Sequence, residues 1–281
     1  MRRLPALKIK LSKKWLASPY IIWMIGFIIL PLITIFIYGF TGRDDGGFTL
    51  ENIINAAKDE VNMKALGLSL LISLISTVIC FLLAYPLAMC LNNLKMKRKT
   101  FIVFLFILPM WLNFTLQMTA INAILEQEGI LNLILTKIGM DPLNIANTPY
   151  AIVIGMVLDY FPFMLLPIYN VISRINPRVI EASRDLGANN IKTFFKIIFP
   201  LSMPGVISGI TMVFVPAISD FAIAEILGGG RLLLVGNIIE QDFKLGKYNA
   251  GSGLALILMA FVLITMAFTS GKSDKEGGSM L

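Results

Sequence analysis

Three acidic residues stand in apolar stretches of the chain, where an uncompensated charge is costly: Asp159, Asp220 and Glu225. No lysine or arginine lies beside them in the sequence. A carboxylate at membrane depth has to be protonated, hydrated or paired. We therefore expect either a cationic substrate or a partner subunit to compensate these charges.

Aromatic side chains follow two of these acids directly, and another lies in an earlier apolar run. The aromatic candidates are Tyr160, Phe161, Phe221 and Trp111. Aromatic faces attract ammonium groups by cation–π interaction. The combination predicts a path for an organic polycation. The alternative is that the acids bond to the backbone or to a second chain, and that the aromatic rings only pack between helices.

The spacing of the last two acids limits how they act together. Asp220 and Glu225 are five residues apart, about 140° around a straight helix. Their side chains can point toward one common axis only if the helix unwinds between them. Prolines at 162, 167 and 216 make such irregularity plausible where the backbone lines a cavity.

Other kinds of site are disfavoured by what the sequence lacks. It has no histidine, and its two cysteines, Cys80 and Cys90, fall in one apolar run, so neither a metal site nor a disulfide framework is expected. The phosphate-binding pattern G-x-x-x-x-G-K-[ST] is absent. We expect a non-enzymatic chain that binds no cofactor of its own.

The elements that carry these residues are predicted to be membrane spans. The 281 residues are 57% hydrophobic and only 15% charged, with a mean hydropathy of +0.79. Five uncharged runs exceed the ~20 residues that a helix needs to cross a bilayer, and a sixth run contains Asp159. The six runs are 15–42, 65–94, 100–125, 149–172, 197–219 and 248–271. The prediction is an all-α polytopic membrane protein with six transmembrane helices.

Basic residues set the orientation, because they concentrate on the cytoplasmic side. With the N-terminus inside, 17 of the 24 lysines and arginines fall in cytoplasmic segments. Both termini are therefore predicted to be cytoplasmic, and the net charge of +7 is assigned to contact with anionic lipid rather than nucleic acid.

This division gives four predicted regions. They are a basic cytoplasmic tail at 1–14, the first helix and an external loop at 15–64, a transmembrane domain at 65–270 with a cytoplasmic loop at 173–200, and a short tail at 271–281 that we expect to be disordered. The external segment after the third run, with apolar residues at 130, 131, 133, 134, 135 and 138, predicts an amphipathic helix.

The cytoplasmic loop contains EASRDLGANNIKTFFKIIFP, residues 181–200. Asn176 and Pro177 are suited to a helix start and Gly187 to a helix end, which predicts a helix of about ten residues followed by a second helix leading into the fifth span. Glu181 and Asp185 are an i, i+4 like-charge pair, which arginines at 178 and 184 can offset. Taken alone, this segment could be a solvated connector.

The detailed order of residues resembles the EAA loop of ABC importer permeases, whose pattern is EAA, three residues, G, nine residues, then I, x, L, P. This chain has EAS at 181–183, Gly187, Ile197 and Pro200, with Phe199 where the family has leucine. The resemblance implies a coupling helix that docks on a cytoplasmic ATPase. It assigns this role to Glu181, Ala182, Arg184, Asp185 and Gly187.

Four further stretches are similar to the polyamine-transporting members of that family: TGRDD, RDLGA, FPLSMPG and LLLVGNIIEQDF. The resemblance implies a bacterial inner-membrane importer with a second permease subunit, two ATPase subunits that bind ATP and Mg, and an external substrate-binding protein. Permeases for iron, thiamine, phosphonates or opines remain alternatives. So does an ion-coupled secondary transporter, in which the acids would be ion sites.

Overall fold

The computed structural model describes residues 18–42, 46–94 and 96–277, and the side chains of 96–100 and 268–277 are not described. The basic tail, Arg43 to Asp45 of the TGRDD stretch, Lys95 and residues 278–281 lie outside the described residues. Every regular element of the described residues is a helix, and one isolated bridge joins Thr41 to Phe48. The all-α prediction is confirmed.

Five helices are long and apolar enough to cross a membrane, and a bent pair supplies a sixth candidate. We label the straight candidates α1 (Ser18–Phe40), α3 (Glu60–Asn92), α7 (Pro149–Ile172), α9 (Asn190–Ser219) and α12 (Tyr248–Gly277). Shorter helices connect them: α2 (Glu51–Lys58), α6 (Ile130–Lys137), α8 (Pro177–Asp185), α10 (Ala222–Leu227) and α11 (Val235–Lys244).

The third apolar run is not one straight helix. It contains α4 (Met96–Ile107), a 3₁₀ turn at Leu108–Trp111, and α5 (Phe114–Leu125). The chain bends by 97° between Phe101–Trp111 and Phe114–Lys137. Asn113 begins the second half, because its side chain accepts a hydrogen bond from the Leu116 amide at 3.1 Å. The helix expected to be continuous in this run is therefore bent.

The expected disordered tail also differs from the structure. The helix α12 continues through Gly277. No proline interrupts residues 249–277, so the backbone ladder extends past the end of the apolar run.

Two of the long helices contain a wider, π-helical turn, at Ile25–Ile29 and Phe194–Ile198. Each turn ends two residues before a proline, Pro31 or Pro200. A proline ring clashes with the carbonyl four residues earlier and lacks an amide hydrogen. The wider turn accommodates that defect without ending the helix.

The core lies where α7 packs between α3 and α9. Cys80, Met156 and Val213, one from each helix, are fully buried there. The close approach of α9 to α7 depends on Gly205, where a Cβ would lie 2.8 Å from the carbonyl oxygen of Pro167. Small residues permit such backbone proximity between membrane helices.

The helix α1 packs against α12 near its C-terminal end. Two asparagines from other helices fix this end: Asn52 and Asn249 both donate to the carbonyl of Thr41, at 2.9 and 2.7 Å. Both also bond to the carbonyl of Tyr38. These bonds satisfy carbonyls that a helix end leaves without intrahelical partners.

Candidate substrate path and coupling segment

The predicted acid and aromatic residues of α7 lie near the middle of that helix. Tyr160 is buried, whereas Asp159 and Phe161 are half-buried. The Phe161 ring packs on Phe106 of α4, with centroids 5.4 Å apart. Three consecutive residues thus present an acid, a phenol and a ring to different neighbours.

Asp220 lies where the backbone leaves helical geometry after α9, with φ −67° and ψ 128°. Its Oδ1 accepts a hydrogen bond from the Ile223 amide at 2.9 Å, which caps α10. Its Oδ2 accepts a hydrogen bond from the Tyr160 hydroxyl at 2.6 Å. The backbone is therefore unwound between α9 and α10. This is the unwinding that the five-residue spacing of Asp220 and Glu225 required.

Asp159, Tyr160 and Asp220 form one group, which we call the acid–tyrosine group. Asp159 and Asp220 are close enough to interact electrostatically. The ion pairs found among the described residues, Lys64–Glu60 and Lys244–Glu240, do not involve this group. Of the two acids, Asp220 accepts the Tyr160 hydroxyl, and neither acid has a basic partner among the described residues, so the group can accept a cation.

The structure places Glu225 in a different setting from the acid–tyrosine group. It is exposed and lines a cavity of about 230 Å³ together with Glu240 and Lys244. Lys244 is close enough to Glu225 to interact electrostatically, and its pKa is raised, mainly by its hydrogen bond with Glu240. Glu225 therefore has a basic neighbour that sequence distance did not reveal.

Two predicted aromatic residues have other neighbours. Trp111 is 76% exposed, and its ring contacts Phe104 edge-on at 6.1 Å. Phe221 is partly exposed and lines an apolar groove with Val215 and Ile239. The ring from α4 that reaches Phe161 is Phe106, which sequence reasoning missed because nothing in an all-apolar run distinguishes it.

Sequence reasoning also missed Asn237 on α11. Its side-chain amide donates to the Phe221 carbonyl at 3.0 Å and its Oδ1 accepts from the Leu234 amide at 3.2 Å. It therefore fixes the unwound segment next to Asp220. The sequence signal that could have indicated this role is the single asparagine in the otherwise largely apolar stretch LLLVGNIIEQDF.

The coupling segment has the predicted two-helix form. The side chain of Asn176 accepts from the Arg178 amide at 3.0 Å and caps α8. Gly187 has a φ of +80°, which L-residues adopt at a cost. The amide of Ala188 bonds back to the Ser183 carbonyl at 3.1 Å, closing the helix end.

The two faces of α8 differ in exposure. Ser183 is buried and shares a hydrogen bond with Thr193 at 3.0 Å. Glu181, Ala182 and Asp185 are exposed, and so is Leu186, 88% exposed at the end of the helix. Charged and apolar groups on one free surface suit a soluble protein partner.

Arg184 is exposed as well. It lines a cavity between α8 and the ends of α3 and α7. Its predicted role in coupling stays a prediction.

A bundle of apolar spans with a half-buried acidic group and an exposed two-helix segment is the arrangement expected of a membrane transport permease. Residues 81–272 match the family described as binding-protein-dependent transport system inner membrane component. The match covers more than half of the chain, which therefore belongs to this family and is an inner-membrane component of an ABC transporter.

Several relatives share most of their length with this chain. It is 35% identical over 260 residues to the spermidine/putrescine transport system permease protein PotB of Haemophilus influenzae, covering 89% of this chain and 91% of that protein. It is 37% identical over 253 residues to PotB of Escherichia coli, covering 86% and 92%. The recognised resemblance is confirmed.

The fold is shared with a solved bacterial ABC transporter involved in the import of the acidic polysaccharide alginate. The TM-score is 0.78 at 17% identity, covering 94% of this chain and 96% of that chain. The prediction of an ABC importer permease fold is confirmed.

Proposed function

We propose that the chain is the permease subunit of an ATP-driven polyamine importer and forms half of the path for spermidine and putrescine. The similarity to PotB proteins supports this substrate class. The observation that carries the proposal is the acid–tyrosine group, in which Asp159 of α7 lies near Asp220 at the break after α9, without a basic partner among the described residues.

A polyamine suits that group because it is flexible and carries several ammonium groups. Ionised acids attract each ammonium, and aromatic faces such as Phe161 add cation–π attraction. The cation supplies the compensation that buried acids require. An anionic substrate such as a phosphonate would be repelled at the same place.

The proposed assembly contains a second, PotC-like permease, two PotA-like ATPase subunits and a PotD-like external binding protein. ATP and Mg bind the ATPases, and this chain has no catalytic residue and no cofactor. Both termini face the cytoplasm in this arrangement. The exposed face of α8, with Glu181, Ala182 and Asp185, docks on an ATPase while Gly187 holds the turn.

The test is uptake of labelled spermidine and putrescine by cells that lack this chain and regain it as wild type or variant. Asp159→Asn removes one charge at the path and should lower spermidine uptake at least about tenfold, given ~1.5–3 kcal/mol for a charge-assisted bond. Putrescine, with fewer charges, should be affected less. Asp141→Asn, at an exposed acid in the loop after α6, is the matched control.

Two outcomes would contradict the role of Asp159. Unchanged spermidine uptake in an assembled Asp159→Asn transporter would remove it from the path. Loss of the second permease from the purified complex would instead assign Asp159 to the subunit interface. Copurification of an ATPase with the chain separates the importer from an ion-coupled secondary transporter.

A further inference from the structure

A cavity of about 350 Å³ lies beneath the coupling helix, far along α7 from the acid–tyrosine group. Its walls come from four places: the end of α3 at Asn92, the end of α7 at Ile172, α8 at Arg184, and the start of α9 at Asn190. The cavity therefore occupies the joint between the spans and the coupling segment.

The lining has the chemistry of an anion site. Arg184 is its one charged group, several asparagines add amide donors, and none of the lining residues is acidic. The ion pairs of the described residues leave Arg184 without a carboxylate, although Glu181 is three residues away. A guanidinium is suited to bind two oxygens of a phosphate at once.

The same cavity has an apolar side. Ile172, Phe194 and Ile198 contribute to its wall. It also lies where two apolar spans end, and the basic stretch KMKRK follows Leu94 in the sequence. Basic pockets between spans bind the headgroups of anionic lipids. An apolar wall beside a guanidinium favours a phosphodiester with its glycerol over free phosphate.

We propose that this cavity binds a phosphate-bearing anion, namely the headgroup of an anionic phospholipid such as phosphatidylglycerol, with Arg184 as the main contact. The lipid fills the joint between α8 and the ends of α3 and α7, and so it stiffens the coupling segment against the spans. This site is separate from the proposed polyamine path and does not depend on the substrate.

The test is hydrogen–deuterium exchange of backbone amides 177–193 in the whole transporter, reconstituted in nanodiscs. Discs of phosphatidylcholine alone are compared with discs containing increasing phosphatidylglycerol, and with phosphatidylcholine discs plus inorganic phosphate. Phosphatidylglycerol should slow exchange in this segment. Arg184→Gln should raise the lipid fraction needed for half of that protection at least about tenfold, as expected for losing a charge-assisted contact.

Arg178→Gln is the matched control, because Arg178 is exposed on the same helix and does not line the cavity. It should keep the protection, and Arg184→Lys should keep part of it. Wild-type exchange that ignores phosphatidylglycerol would overturn the proposal, as would equal losses in Arg184→Gln and Arg178→Gln. Equal protection by inorganic phosphate in phosphatidylcholine discs would overturn the assignment to lipid.

Discussion

The bond between Tyr160 and Asp220 offers a sharp test of the acid–tyrosine group. Tyr160→Phe removes the hydroxyl that donates at 2.6 Å, and the ring, only 8% exposed, keeps its packing. Asp220 retains its bond from the Ile223 amide, so the cap of α10 survives. The change is therefore confined to one hydrogen bond.

The expected magnitude lies between two known ranges. Hydrogen bonds to charged groups contribute about 1.5–3 kcal/mol, whereas side-chain bonds inside membrane proteins average about 0.6 kcal/mol. Because Asp220 lies at a helix break rather than against lipid, we expect about 1–2 kcal/mol. At 1.36 kcal/mol per factor of ten, spermidine uptake below saturation should fall by about 5- to 30-fold.

The assay is a double-mutant cycle with Asp220→Asn, which keeps the capping oxygen but removes the charge that strengthens the bond. The double variant should transport little worse than Asp220→Asn alone, because the two changes remove one interaction. Tyr150→Phe is the control, since that residue is 72% exposed on the same helix. Additive losses in the two single variants would refute the coupling of Tyr160 to Asp220.

The remaining predictions concern the coupling helix, the helix packing and the loop chemistry. Glu181→Lys should lower uptake at least about tenfold while ATP hydrolysis continues in an assembled complex. The reason is that reversing a docking charge costs about 2 kcal/mol or more. Normal uptake by this variant would exclude the contact between Glu181 and the ATPase. Gly205→Ala should destabilise the purified complex by about 1–3 kcal/mol in thermal unfolding, whereas Gly67→Ala, with open space at its Cβ, should not; equal melting points would disprove the tight approach. Burial raises the pKa of Asp242 above its ordinary 3.8, Asp59 adds to the rise, and Lys247 opposes it. The folded state thus binds the Asp242 proton more tightly, and stability falls as pH rises through this interval; Asp242→Asn should raise the melting temperature at pH 7.5, with no gain below pH 3.8, and a gain that persists there would contradict the charge origin.

Hydropathy and cap residues predicted much of the fold. The fourth span was expected at 149–172 and is helical over Pro149–Ile172. Asn176 and Gly187 marked the start of α8 and the turn beyond its end, because capping bonds and positive φ depend on residue type. The break at Asn113 was not predicted, since an apolar run of sufficient length does not report a change in backbone direction.

The site was less predictable for a different reason. Tyr160 and Asp220 are 60 residues apart, and only the packing of α7 on α9 brings them together. The cavity beside Arg184 depends in the same way on the packing of α8 against the start of α9, where Ser183 bonds to Thr193. Residue types indicated the chemistry of the site. They did not indicate which side chains of different helices contact one another.

The asparagine bonds at the end of α1 impose an order on biosynthesis. Asn52 is made soon after Thr41, whereas Asn249 is made 208 residues later. At 5–20 residues per second, a ribosome needs about 10–40 s to cover that distance. The C-terminal end of α1 therefore completes its hydrogen bonds only after α12 has been synthesised. Its final packing is among the latest steps in the folding of the protein.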